Sequence, residues 1–123
     1  VLLTSHLLRH EFLDFVRRGK ITLFLPNAVE GFYLPALEGM VMGTLVVCPD
    51  CVGNRSFCLD AYNCFQPEYN IESILKAVDK AAGLKPAEIE VIRKRASETV
   101  TEHDLMKERR SFQDILLDMP NLW

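Results

Sequence analysis

Apolar positions along the chain switch between two periods. In residues 6–18, Leu7, Leu8, Phe12, Phe15 and Val16 recur at helical spacing, and Gly19 ends the pattern. Residues 21–25 form a short, largely apolar run closed by Pro26 and Asn27, the signature of a strand buried on both faces. A loop over residues 27–33 leads to a second helical stretch, 34–42, stopped by Gly43. Residues 45–48 repeat the strand pattern before Pro49, and residues 1–4 and 63–66 read as further short strands. Beyond Pro67 the pattern is helical. Asn70 suits the cap of a helix carrying Ile71, Ile74, Leu75 and Val78, with Gly83 just past its end. Pro86 suits a first helical position, with Ile89, Ile92, Ala96 and Val100 on the apolar face. Thr101 and Asp104 resemble the cap of a last helix bearing Leu105, Phe112, Leu116 and Met119 on one stripe.

Strand and helix alternate three times before the helical tail. That alternation predicts an α/β fold: a Rossmann-like three-layer α/β/α arrangement with a parallel sheet, plus C-terminal helices. Ligands of such sheets bind beyond the carboxyl ends of the strands. The loops at 26–33 and 49–55 are therefore where chemistry is expected.

Composition narrows the class. The 123 residues, 49% hydrophobic and 25% charged, suit one ordinary globular domain. A net charge of −3 gives no basic face for nucleic acid. Gly, Pro or charge interrupts every apolar run before the roughly 18 residues a membrane span needs, and the start lacks a signal-peptide pattern. The chain begins at Val1 inside an apolar run, so a piece of a larger protein is expected. Cys48, Cys51, Cys58 and Cys64 are expected to be reduced, partly buried thiols acting as small hydrophobes. A zinc site and a redox pair at Cys48 and Cys51 are the alternatives, but the second half lacks a short zinc knuckle.

The loop at 26–33 leaves a buried strand and enters a helix N-terminus. Orphan amides and the helix dipole there favour an anion such as a diphosphate. Gly31 removes a side chain where a ligand would approach. Glu30 lies in the loop, and Glu38 lies in the second turn, about 6 Å along the axis. Helical side chains lean toward the N-terminus, so Glu38 can reach toward the same site. Its two acceptor oxygens suit the vicinal diol of a ribose. The plainer reading is a surface helix whose early acids are stabilised by its dipole. Asn54 and Arg55 are polar residues in the second loop, placed for ligand contact or for a solvated turn.

The segment Glu30-Gly31-Phe32-Tyr33-Leu34-Pro35-Ala36-Leu37-Glu38, continuing to Val47, resembles the signature of retaining GT-B glycosyltransferases of the group 1, family 4 type. Their motif is Glu-x7-Glu, usually E-G-F-G-L-P-x-L-E-A-M-A-x-G-x-P-V-V, and eighteen consecutive positions align without a gap. A looser similarity extends over most of the chain and is weakest beyond Gly83. The resemblance implies a partial GT-B C-terminal domain, with residues 1–83 as its nucleotide-sugar-binding part and 84–123 as further helices of the same domain. By position, Glu30 would sit at the donor sugar, as a catalytic or positioning group and not a nucleophile, and Glu38 would hold the ribose. The backbone amides of Phe32, Tyr33 and Leu34 would face the sugar and diphosphate, with Gly31, Asn54 and Arg55 also donor-binding. No metal and no cofactor is implied; a nucleotide diphosphate sugar is the donor substrate.

Three departures stand out: Tyr33 replaces a usual Gly, Leu45 a usual Pro, and Ser56 a frequent Glu. The family's basic pair and its acceptor domain, which would bind a glycan or lipid-linked acceptor, do not precede Val1. The fragment alone is thus expected to be inactive. It is also expected to self-associate through an exposed sheet edge. The resemblance implies a cytoplasmic enzyme, peripheral at the inner face of a membrane in one arrangement of the intact protein. The alternatives are a non-catalytic nucleotide- or sugar-binding module and a cysteine-based zinc or redox module. His6, His10 and His103 have the chemistry of general bases, but no third ligand completes a metal pair at His6 and His10, which favours a solvated helix face.

Overall fold

In the computed structural model, residues 7–118 are described. Helix α1 (Arg9–Arg17) leads into strand β1 (Ile21–Leu23). Helix α2 (Leu34–Val41) and strand β2 (Leu45–Val47) follow, then a 3-10 turn (Val52–Asn54) and helices α3 (Ile71–Ala82), α4 (Pro86–Glu102) and α5 (Leu105–Asp118). β1 and β2 pair in parallel, with Ile21 opposite Leu45 and Leu23 opposite Val47. The strand expected at 63–66 is reduced to two isolated parallel bridges, Phe65 to Val47 on the other side of β2 and Cys64 to Asp60. It stays short because Asn63 turns inward, donating to Phe57 O and Thr99 Oγ1, while Pro67 ends the run. The expected strand at 1–4 lies outside the described residues.

Alternation along β2 builds two cores. Leu45 and Val47 point to one face, where Phe65, Ala81 and Ile92 join them with Val78 of α3. Val46 and Cys48 point to the other, against Phe24, Ala36, Leu37, Met40 and Phe57. Both faces of β2 are thus covered, as its apolar run requires. The run at 21–25 does not reach the burial expected of it: β1 spans only Ile21–Leu23, Ile21 and Thr22 are half-buried, and Leu23 and Leu25 are exposed, because the described cores gather on β2. The result is a partial Rossmann-like α/β fold. Helix α4 belongs to both cores: Ile89 and Ile92 pack on the first, Ala96 and Val100 on the second. α2 lies close to the sheet because Gly39 has no side chain. A Cβ there would fall 2.8 Å from Phe24 Cε2 and 2.9 Å from Val46 Cγ2.

The caps follow the sequence in part. Asn70 Oδ1 accepts from Ser73 N at 2.8 Å. Asp104 accepts from the amides of Met106 and Lys107 and caps α5 alone. Thr101 instead donates to Glu98 O inside α4. The stripe of α5 forms, yet Leu105, Phe112 and Leu116 remain exposed, and no described residue of this helix is buried. Met119 lies outside the described residues.

Candidate functional site

Because β1 and β2 are parallel neighbours in register, the loops leaving their carboxyl ends emerge side by side. They are stitched together. Phe24 N extends the ladder to Val47 O at 2.9 Å, Val52 N donates to Ala28 O at 3.2 Å, and Tyr33 N donates to Gly53 O at 2.9 Å. Gly53 makes this closeness possible: a Cβ on it would lie 1.1 Å from Gly31 O. Gly31 itself has open space around its Cβ direction.

Glu30 sits half-buried at the turn of the first loop. Its amide donates to Asn27 O at 3.1 Å, and its Oε1 accepts from Asn27 Nδ2 at 3.0 Å. Tyr33 places its ring edge-on to Phe24. Burial pushes its phenol up to about 12, with nearby Cys48 and Glu30 adding to the effect, so it is a neutral hydrogen-bonding group.

The expected anion cradle is smaller than the motif suggests. Tyr33 N is taken by Gly53 O, Leu34 N returns to Phe32 O at 3.0 Å, and Ala36 N returns to Tyr33 O at 3.3 Å. Pro35 has no N–H. Of the three amides expected to face a donor, only that of Phe32 lacks a protein acceptor among the described residues, and the amide of Gly31 joins it. The side chain of Phe32 folds over Phe57 and His103, with ring centroids at 5.3 and 5.6 Å.

Glu38 is only 9% exposed. The Arg9 guanidinium lies 2.5 Å from its Oε1. That contact has ion-pair distance but not hydrogen-bond alignment, so Oε1 stays a buried acceptor without a well-directed donor. Glu38 opens into a cavity of about 230 Å³ between α1, α2 and α4. Leu34, from the first turn of α2, forms part of its wall. A cavity of about 370 Å³ at Lys20, Ile21, Leu45 and Arg93 lies at the amino ends of the strands, away from both loops.

The second loop assigns its polar residues differently from the sequence reading. Asn54 is fully buried and was expected at the ligand. It faces inward because four protein groups claim it: its Oδ1 accepts from Cys51 N and Gln66 Nε2, and its Nδ2 donates to Pro49 O and Cys48 Sγ. Arg55 is exposed and grips Asp50 through Nε and one terminal nitrogen, at 2.7 to 3.1 Å. This pairing holds the Asp50 carboxyl below its ordinary range. Solvent screens so exposed a pair, which leaves Arg55 available to a stronger anion.

All four cysteines are buried and unbridged. Burial pushes the Cys48 thiol up to about 12; a hydrogen bond with Cys64, then burial, raises Cys58. Among the described residues no group of three or more His, Cys, Asp or Glu could hold a metal ion. At mildly alkaline pH a disulfide-exchange reagent should therefore label the native thiols slowly, and all four promptly after unfolding in guanidinium. Fast labelling of one native thiol would contradict this packing.

No protein-family model and no curated sequence matches the chain. Among solved structures, it is similar to a sucrose-phosphate synthase from Thermosynechococcus elongatus, with a TM-score of 0.69 at 18% identity. The fold is glycosyltransferase-like. The match covers 88% of this chain but 28% of that protein. At that identity the likeness is one of fold. Sequence reasoning singled out the Glu30 to Glu38 segment but did not foresee that Gly53 backs onto Gly31, that Phe57 packs under Phe32, or that Arg9 pairs with Glu38. Gly53 carried one faint signal, a glycine inside a loop expected to face a ligand.

Proposed function

We propose that this chain is the nucleotide-sugar-binding part of a retaining GT-B glycosyltransferase of the group 1 type. The observation that carries the proposal is where the Glu-x7-Glu segment falls. It forms the loop and helix that follow β1, at the carboxyl ends of a parallel sheet in a glycosyltransferase-like fold. In this reading Glu30 positions the donor sugar, and Glu38 accepts hydrogen bonds from the ribose hydroxyls. The free amides of Gly31 and Phe32, with Arg55 drawn from Asp50, meet the diphosphate. In the intact enzyme an acceptor hydroxyl, of a glycan or a lipid-linked sugar, takes the sugar with retained configuration and the nucleoside diphosphate leaves. Fixed amides and a guanidinium stabilise the charge that builds on the leaving group. Among the described residues no helix is long and apolar enough to cross a membrane.

Calorimetric titration with uridine and guanosine diphosphates tests the reading. The wild-type chain is expected to bind one of them. Glu38→Gln should weaken that binding about tenfold to hundredfold, the worth of one or two hydrogen bonds to a charged acceptor. Affinity unchanged in Glu38→Gln would remove the ribose role.

A further inference from the structure

The cavity beside Glu38 has a wall that the motif does not supply. His103, the residue that ends α4, lines it together with Arg9 and Glu38. The rest of the lining is aliphatic or Met: Leu13, Leu34, Leu37, Val41, Met42 and Val100. All polar side-chain chemistry in the cavity thus comes from three residues on three different helices or helix ends. Their capacities complement one another. Glu38 offers a buried acceptor without an aligned donor, and Arg9 offers only donors. His103 is fixed in place by aromatic contacts, with its ring centroid 5.6 Å from both Phe32 and Phe57. Its Nδ1 faces Glu108 Oε1 at 3.8 Å. Its other ring nitrogen, Nε2, has no protein partner among the described residues.

We propose that His103 is a ligand-binding residue that, with Glu38 and Arg9, contacts the hydroxyls of a single sugar ring, the pentose of a nucleoside diphosphate, in this cavity. The proposal rests on the donor-site reading above. Two features choose a sugar ring. A volume of about 230 Å³ is below the usual 300 Å³ or more of a site for a whole drug-sized ligand, so one ring fits and a nucleotide sugar does not. A vicinal diol both donates and accepts, which matches a carboxylate flanked by a guanidinium and an imidazole. Phe32 is then shared: its backbone amide serves the diphosphate and its ring braces the histidine that reads the pentose.

The decisive comparison uses His103→Phe, which keeps a ring against Phe32 and Phe57 and removes the polar nitrogens. Whichever of uridine or guanosine diphosphate binds the wild-type chain is titrated beside its 2′-deoxy and 3′-deoxy analogues. Wild type is expected to prefer the ribose form by about tenfold or more over at least one analogue. His103→Phe should lose most of that preference at unchanged melting temperature, and His103→Gln should recover part of it. Equal weakening of ribose and deoxy forms in His103→Phe would reduce His103 to packing and overturn the proposal. Wild-type discrimination in His103→Phe would overturn it as well, while loss of affinity in Glu38→Gln alone would leave the donor-site reading standing. Failure of the wild-type chain to bind either diphosphate would overturn both.

Discussion

Gly53→Ala is expected to destabilise the protein by about 3 kcal/mol or more, the largest effect of any glycine-to-alanine change in this chain. The added Cβ would lie 1.1 Å from Gly31 O, 2.3 Å from Gly31 C and 2.8 Å from Tyr33 N. All three are backbone atoms, so no side chain can swing aside. The two loops must separate, and the Tyr33 N to Gly53 O and Val52 N to Ala28 O bonds are lost or stretched. Each such bond contributes on the order of 1 kcal/mol, in addition to the strain of overpacking. Gly31→Ala is the control. Its Cβ meets nothing within 4 Å, so stability should stay within about 0.5 kcal/mol of wild type. Denaturant unfolding of both variants measures the difference. Similar midpoints would show that the loops are not stitched as described. Nucleotide titration adds a second separation: Gly31→Ala crowds the ligand side and should weaken binding without weakening the fold.

Asn54→Ala should be nearly as damaging, by about 2–5 kcal/mol. The side chain is fully buried, and its loss strands the Cys51 amide and leaves the Pro49 carbonyl only the weak Cys48 thiol donor, away from water. Each stranded group costs about 1–3 kcal/mol. Asn54→Asp should not rescue stability, because a carboxylate cannot donate to Pro49 O or to Cys48 Sγ. Thermal or urea unfolding reads the effect directly. A variant with native stability and lost nucleotide affinity would return Asn54 to the ligand side, where its position in the sequence first suggests it belongs.

These two residues show where reading the sequence stops. Leu45, Val46, Val47 and Cys48 announce a strand buried on both faces, and each face has its own core. Asn70, Gly83 and Pro86 mark the ends of α3 and the start of α4 within one residue. Such signals are local: they depend on the periodicity of neighbouring side chains and on the first few amides of a helix. The stripe of α5 is equally local, and it correctly predicts a helix while saying nothing about what it packs against. Residues 63–66 fail as a strand because the competing partners of Asn63 include Thr99, thirty-six positions away.

The sequence by itself determined the alternation of short buried strands and helices, the parallel sheet that follows from it, and the placing of Glu30 and Glu38 on the loop and helix after β1. Tertiary structure alone decided which polar groups of those loops remain free. Tyr33 N is occupied by Gly53 O, Asn54 is turned inward, and Glu38 shares a cavity with Arg9 and His103. The reason is physical: a backbone amide or carboxylate looks the same in any sequence until a partner from elsewhere in the chain satisfies it or leaves it open.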